Sequence, residues 1–193
     1  TVHRPSTSLE HDLAESEQAL AELIGHAPSR RHRLSVNYRS PAEVFALAAQ
    51  VVSREFPEAD LPEAVRSTGV QPELLAGPAD ALLPTVVERA ADLLGTLAGT
   101  VGVIAPPSRI AAVEQALAAL DDPRLVAVTP LQAKGLEYDG VIVVAPDDIV
   151  AESPGGVRVL YVALTRPTQR LVTVDPDPAR ADWRESLRWP AND

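Results

Sequence analysis

The sequence predicts an α/β domain of three layers, a mostly parallel sheet covered by helices on both faces. Three observations lead there. Short apolar runs occur at Val101–Ala105, Leu125–Thr129, Val141–Ala145 and Arg170–Val174, and uninterrupted runs of this kind suit strands buried on both faces. Stretches with apolar residues at helical spacing lie between most of them. The chain has 193 residues, 46% hydrophobic and 23% charged, enough for one packed core and too apolar for disorder. Right-handed crossovers between parallel strands then collect loops at the carboxyl ends of the strands, where open α/β sheets bind ligands.

Taken in order, residues 8–24 carry Leu9, Leu13, Leu20, Leu23 and Ile24 at near-helical spacing, with Thr7 and Glu10 spaced as a capping box and Gly25 as a stop. A basic linker with Arg30, Arg31 and Arg33 completes an amino-terminal segment, 1–33. Leu34–Asn37 reads as a short strand. Ser40, Pro41 and Glu43 read as a helix start, with cap, proline in the first turn and a glutamate to close the box. Val44, Leu47, Ala48, Val51 and Val52 supply that helix's buried stripe, which puts Tyr38 and Arg39 at a strand-to-helix junction.

Residues 57–83 are rich in proline, glycine and acids and show no period, so they read as a variable stretch. A helix from about Pro84 shows Val87, Ala90, Leu94 and Leu97 on one face. Another carries Ile110, Val113, Leu117 and Leu120, and a third Val157, Leu160, Tyr161 and Leu164. The main domain spans 34–175. Residues 176–193, with Trp183 and Trp189, read as an amphipathic or frayed tail.

Composition removes several classes of function. Acids outnumber bases 27 to 17, a net charge of −10, whereas a self-sufficient nucleic-acid binder carries a basic footprint. No cysteine is present, which excludes disulfides and thiol zinc sites. The four histidines lie within the first 32 residues without metal spacing, so no metal site is expected on this chain. No apolar run is long enough to span a membrane and no signal peptide is visible, so a cytoplasmic location is expected. The chain starts at Thr1 and has no methionine, as a piece of a longer protein would. Sixteen of its 17 basic residues are arginine; the single lysine is Lys134.

Common phosphate and nucleophile motifs are missing. There is no G-x-x-x-x-G-K-[ST] phosphate loop, no G-x-G-x-x-G and no G-x-S-x-G. Val141 to Asp148 looks superficially like a strand ending in a magnesium-binding acid, but Pro146 intervenes and no phosphate loop precedes it; a turn after a buried strand is the expectation.

Three strings stand out together: Asn37-Tyr38-Arg39-Ser40, then Gln132-Ala133-Lys134-Gly135-Leu136-Glu137-Tyr138-Asp139, then Tyr161-Val162-Ala163-Leu164-Thr165-Arg166. In this order they resemble motifs IV, V and VI of superfamily 1 helicases of the UvrD/Rep type, across that family's second RecA-like motor domain. The resemblance implies a RecA-like, P-loop-NTPase fold without its own Walker A loop. It also implies ATP held between this lobe and an N-terminal RecA-like domain of the same protein, with Mg2+ held mainly by that other domain. Arg39 and Arg166 would reach the γ-phosphate, where a guanidinium stabilises charge in the transition state. Tyr38 would stack on adenine, Glu137 would accept from the ribose, Gly135 would allow close backbone approach, and Thr129 would contact a nucleic-acid backbone.

Three departures bear on the substrate. Leu131 stands where the family commonly has a polar histidine. Arg39 and Lys134 are only 95 residues apart, too few for the accessory subdomain of UvrD and Rep. Pro167 follows Arg166 where alanine is common. These features look closer to the helicase IV/HelD group, whose members act on bacterial RNA polymerase, so the implied partner is either nucleic acid (DNA) or RNA polymerase. The alternative is a non-catalytic RecA-like module that docks on such a partner.

Overall fold

The computed structural model describes residues 36–37, 39–64 and 66–185. The expected helix at 8–24, Tyr38 and Trp189 lie outside them. In chain order the elements are β1 (Val36–Asn37), α1 (Ala42–Glu55), β2 (Glu63–Ala64), β3 (Glu73–Ala76), α2 (Leu82–Thr96), β4 (Val101–Ile104), α3 (Ile110–Leu117), β5 (Leu125–Val128), β6 (Tyr138–Val144), α4 (Pro146–Glu152), α5 (Val157–Leu164) and β7 (Pro167–Asp175).

The main sheet is five-stranded and wholly parallel, in the order β3-β7-β6-β4-β5. β1 and β2 pair with each other, parallel, as a separate two-stranded ribbon. Successive side chains of β6 enter opposite cores. Val141 and Val143 pack with Leu47, Val51, Ile149, Leu160 and Leu164, from α1, α4 and α5. Ile142 and Val144 pack with Val86, Ala90, Leu93 and Val113, from α2 and α3. Burial on both faces is why the strands are apolar without alternation. The three-layer parallel α/β class read from the sequence is the one observed.

Several local expectations are corrected. Ser40 and Glu43 do not form a capping box. The helix begins at Ala42, Pro41 precedes it without a side-chain cap, and both polar side chains take distant partners. The Ser40 hydroxyl donates to the Thr165 carbonyl at 3.1 Å in a buried contact. Glu43 accepts from the Gly69 amide at 2.7 Å and from the Ser67 hydroxyl. Its carboxyl pKa is lowered to about 2: burial acts against this shift, and hydrogen bonds from Ser67, Gly69 and Thr68 outweigh it.

The aperiodic stretch 57–83 contains β3, a strand of the main sheet. As an edge strand of four residues it sends Leu74 to one core and Leu75 to the other, too short a pattern to register as a period. α2 starts at Leu82, so Pro84 falls in its first turn, where no amide hydrogen is needed. Pro146-Asp147-Asp148 opens α4 rather than a turn; proline at the first position and acids in the first turn are helix-start chemistry. Trp183 is not frayed. It is 4% exposed and donates from Nε1 to Asp175 Oδ1 at 2.8 Å.

β6 and β7 each begin three residues earlier than the apolar runs suggest, at Tyr138 and Pro167. The early start requires a gap in β4. A Cβ on Gly102 would lie 2.7 Å from Tyr138 Cδ2, so the Tyr138 ring occupies the space that glycine leaves. Glu137 and Arg166 thereby become the last residues before two adjacent strands.

Candidate functional site

Three loops meet at the amino ends of β6 and β7: the β1–α1 junction, the end of the β5–β6 connection and the α5–β7 corner. Tyr138 is paired in register with Pro167, and its amide donates to the Arg166 carbonyl at 3.2 Å. The Ser40–Thr165 bond ties the first loop to the third. Thr165 in turn donates from Oγ1 to the Tyr161 carbonyl at 3.0 Å, closing the last turn of α5.

The sequence motifs converge here in part. Arg39 and Glu137 form an ion pair through Arg39 Nε, with the side chains 54% and 38% exposed. Arg166 is half-buried. Its Nε donates to the Val162 carbonyl at 2.9 Å and its Nη1 to the Leu136 carbonyl at 3.2 Å. Burial lowers the Arg166 pKa, the nearby Arg39 lowers it further, and Glu137 opposes both. A guanidinium remains protonated near neutrality despite such a shift. Two cations and one carboxylate therefore share this corner, an excess of positive charge that favours an incoming anion.

Tyr138 and Tyr161 complete the surroundings. Burial raises both phenol pKa values, opposed in each case by Arg166, so both stay neutral and add no negative charge to that of Glu137. Tyr161 also meets Phe45 of α1 edge to face, with ring centres 6.5 Å apart.

The remaining predicted residues lie elsewhere. Thr129 follows β5 at the carboxyl edge of the sheet; by register Val128 is level with Val143, whereas Glu137 precedes Tyr138 at the other end of β6. The nine residues from Thr129 to Glu137 cross the sheet, with Ala133 buried beneath them. Thr129 closes a reciprocal box: its amide donates to Gln132 Oε1 at 2.9 Å, and the Gln132 amide donates back to Thr129 Oγ1 at 3.4 Å. Gly135 is in the left-handed region at φ +77° with no protein atom within 4 Å of a Cβ position, so the turn itself calls for glycine. Leu131 and Leu136 are 60% and 48% exposed.

The charged residues of the three strings gather at the amino edge of the sheet, and of the predicted residues Thr129 lies at the carboxyl edge. There the chain covers itself. Asp175 is buried and ion-paired to Arg184, and Asp147 accepts from the amides of Asp182 and Trp183 at 3.0 and 2.9 Å.

Two residues of the site escaped the sequence reading. Ser40 is a pin between loops rather than a cap, and nothing in its neighbours signals a partner 125 residues away. Gln132 completes the Thr129-x-x-Gln132 box, whose spacing was legible. Among the described residues no group of three or more His, Asp or Glu side chains could hold a metal, and no helix is long and apolar enough to cross a membrane.

No family model matches the chain, and no curated protein matches it. Among solved structures it is similar to the C-terminal domain of a possible DNA helicase from Lactobacillus plantarum WCFS1. The two are 20% identical, with a TM-score of 0.59 over 79% of this chain and 95% of that one. At this identity the likeness establishes the fold alone: five parallel strands with helices covering both faces.

Proposed function

We propose that this chain is the second motor domain of an ATP-dependent superfamily 1 helicase or translocase of UvrD-like type, closest to the HelD group. The observation that carries the reading is the gathering of Arg39, Glu137 and Arg166 at the amino ends of β6 and β7: Arg39 is ion-paired to Glu137, and Arg166, held on the Leu136 carbonyl, feels the charge of both. The first two motif strings meet there through the Arg39 and Glu137 side chains, and the third reaches the second through Arg166 and the Leu136 carbonyl. The helicase name of the similar structure agrees with it.

In this reading ATP lies between this lobe and an N-terminal RecA-like lobe that carries the phosphate loop and Mg2+. Phosphoryl transfer spreads charge over the equatorial oxygens of the γ-phosphate, and this chain answers with two preplaced cations. Arg166 is rigid, held by two carbonyls and tied to α5. Arg39 is exposed and reaches further. Glu137 accepts from the ribose, Gly135 lets the loop approach the nucleotide, and Tyr38 stacks on adenine. Thr129, on the opposite edge, serves the nucleic-acid backbone.

RNA polymerase is the favoured partner over naked duplex. Leu131 and Leu136 are exposed apolar side chains on the motif loop, and apolar surface suits a protein partner better than phosphates. The same observation supports the second reading, a non-catalytic module docking on polymerase.

The test is ATP turnover by this chain joined to its phosphate-loop lobe. Arg39→Ala and Arg166→Ala should each abolish turnover with the fold retained; unchanged turnover in either variant would favour the non-catalytic module.

A further inference from the structure

Glu137 is fixed from both sides. The carbonyl before it, on Leu136, accepts from Arg166 Nη1 at 3.2 Å, and the amide after it, on Tyr138, donates to the Arg166 carbonyl at 3.2 Å. Its partner Arg39 is different: a long side chain, more than half exposed, gripped at Nε. Exposed ion pairs gain little over hydration, so this grip is weak. The main chain on either side of Glu137 is held, while the Arg39–Glu137 pair itself is open to solvent and to a competing anion.

An anion placed against Arg166 also comes to lie beside Glu137. The two negative groups repel unless a cation comes between them or changes sides, and Arg39 is the cation within reach. Phosphate offers the planar guanidinium fork a two-point contact.

Resting on the reading of this corner as a polyphosphate site, we infer that Glu137 is an internal counter-anion. It occupies Arg39 when no phosphate is bound and is exchanged for the terminal phosphate when one arrives. The exchange has a second consequence. Once Arg39 leaves, the Glu137 carboxylate becomes an available acceptor for a ribose hydroxyl. Loading of the arginine and recognition of the sugar then occur in one rearrangement, and Arg39 is presented only to a ligand that carries phosphate.

The probe is inorganic tripolyphosphate, titrated calorimetrically at low ionic strength into the 193-residue chain and its Glu137→Gln, Arg39→Ala and doubly substituted variants. Glu137→Gln should bind about two- to fivefold more tightly than the unaltered chain, the scale of one weak ion pair no longer competing. The double variant should show no gain over Arg39→Ala. Equal or weaker binding by Glu137→Gln, with the unaltered chain binding, would overturn the exchange while leaving the polyphosphate site standing. A gain that persists in the double variant would overturn it too, because Glu137 would then act by bulk charge and not through Arg39. If no variant binds at millimolar concentration, the polyphosphate reading of the corner itself fails.

Discussion

The Ser40 hydroxyl and the Thr165 carbonyl, 125 residues apart in sequence, meet at 3.1 Å in a buried contact. Each is the immediate neighbour of one of the two arginines, so this bond sets how Arg39 and Arg166 face each other. Losing a buried hydrogen bond and leaving its acceptor unsatisfied costs about 1–3 kcal/mol. Ser40→Ala should therefore lower unfolding stability by that amount in urea titrations. It should also reduce tripolyphosphate affinity at temperatures where the variant is fully folded. A stability loss with unchanged affinity would make Ser40 a structural pin only.

Arg39 and Arg166 should behave differently on removal. Arg39→Ala trims an exposed side chain and should change stability by less than about 0.5 kcal/mol. Arg166→Ala deletes donors to the Val162 and Leu136 carbonyls and should cost about 1–2 kcal/mol. Equal effects in denaturant titrations would mean that Arg166 is less integrated than its contacts indicate.

Gly102 should be intolerant of any side chain. A Cβ there would meet the Tyr138 ring at 2.7 Å, and overpacking a filled core costs about 1–3 kcal/mol. Gly102→Ala should destabilise by that amount, and Tyr138→Leu should partly rescue it by removing the ring. Absence of rescue would place the strain elsewhere.

The pH dependence of stability has two opposed parts. Burial raises the carboxyl pKa of both Asp175 and Asp147 above the usual 3.8. The folded state then holds protons more tightly than the unfolded one, so stability falls as pH rises from 3.8 through the raised values. Glu43 runs the other way. Lowered to about 2 from 4.5, it contributes stability above 4.5 that is lost as pH falls through 2. Thermal melts should show stability rising slightly on mild acidification, the two parts opposing each other between 4.5 and 3.8, and a decline below 3.8, where only the Glu43 part remains. Asp175→Asn should flatten the upper part of the profile at some cost in stability, because it also breaks the pair with Arg184. An unchanged upper slope would remove Asp175 from the account.

Burial on both faces leaves uninterrupted apolar runs, which made β4 and the centre of β6 legible; β5, at the sheet edge with Val126 39% exposed, carries such a run without that burial. The sequence hid β3, whose two leucines serve different cores at the sheet edge. The same limit affected the strand starts. Tyr138 and Pro167 do not extend an apolar run, yet they are where β6 and β7 begin, and those starts place Glu137 beside Arg166. Residue types named the three functional strings, but only the pairing register shows that Glu137 and Arg166 share an edge and that Thr129 does not. Ser40 and Glu43 illustrate the remaining gap. Their local spacing is that of a helix cap, and tertiary partners outcompeted it.

The central claim is that Arg39 and Arg166 form one phosphate-facing pair, and single-turnover ATP hydrolysis tests it most directly. The measurement uses this chain joined to its phosphate-loop lobe, comparing the unaltered protein with Arg39→Ala and with Arg166→Lys. Arginines that act on a transferring phosphoryl group are worth about 10³–10⁵ in rate. The account predicts that each substitution slows the chemical step by about 10³ or more, with circular dichroism unchanged. Hydrolysis within about twofold of the unaltered rate in either variant, well short of that loss, would contradict it.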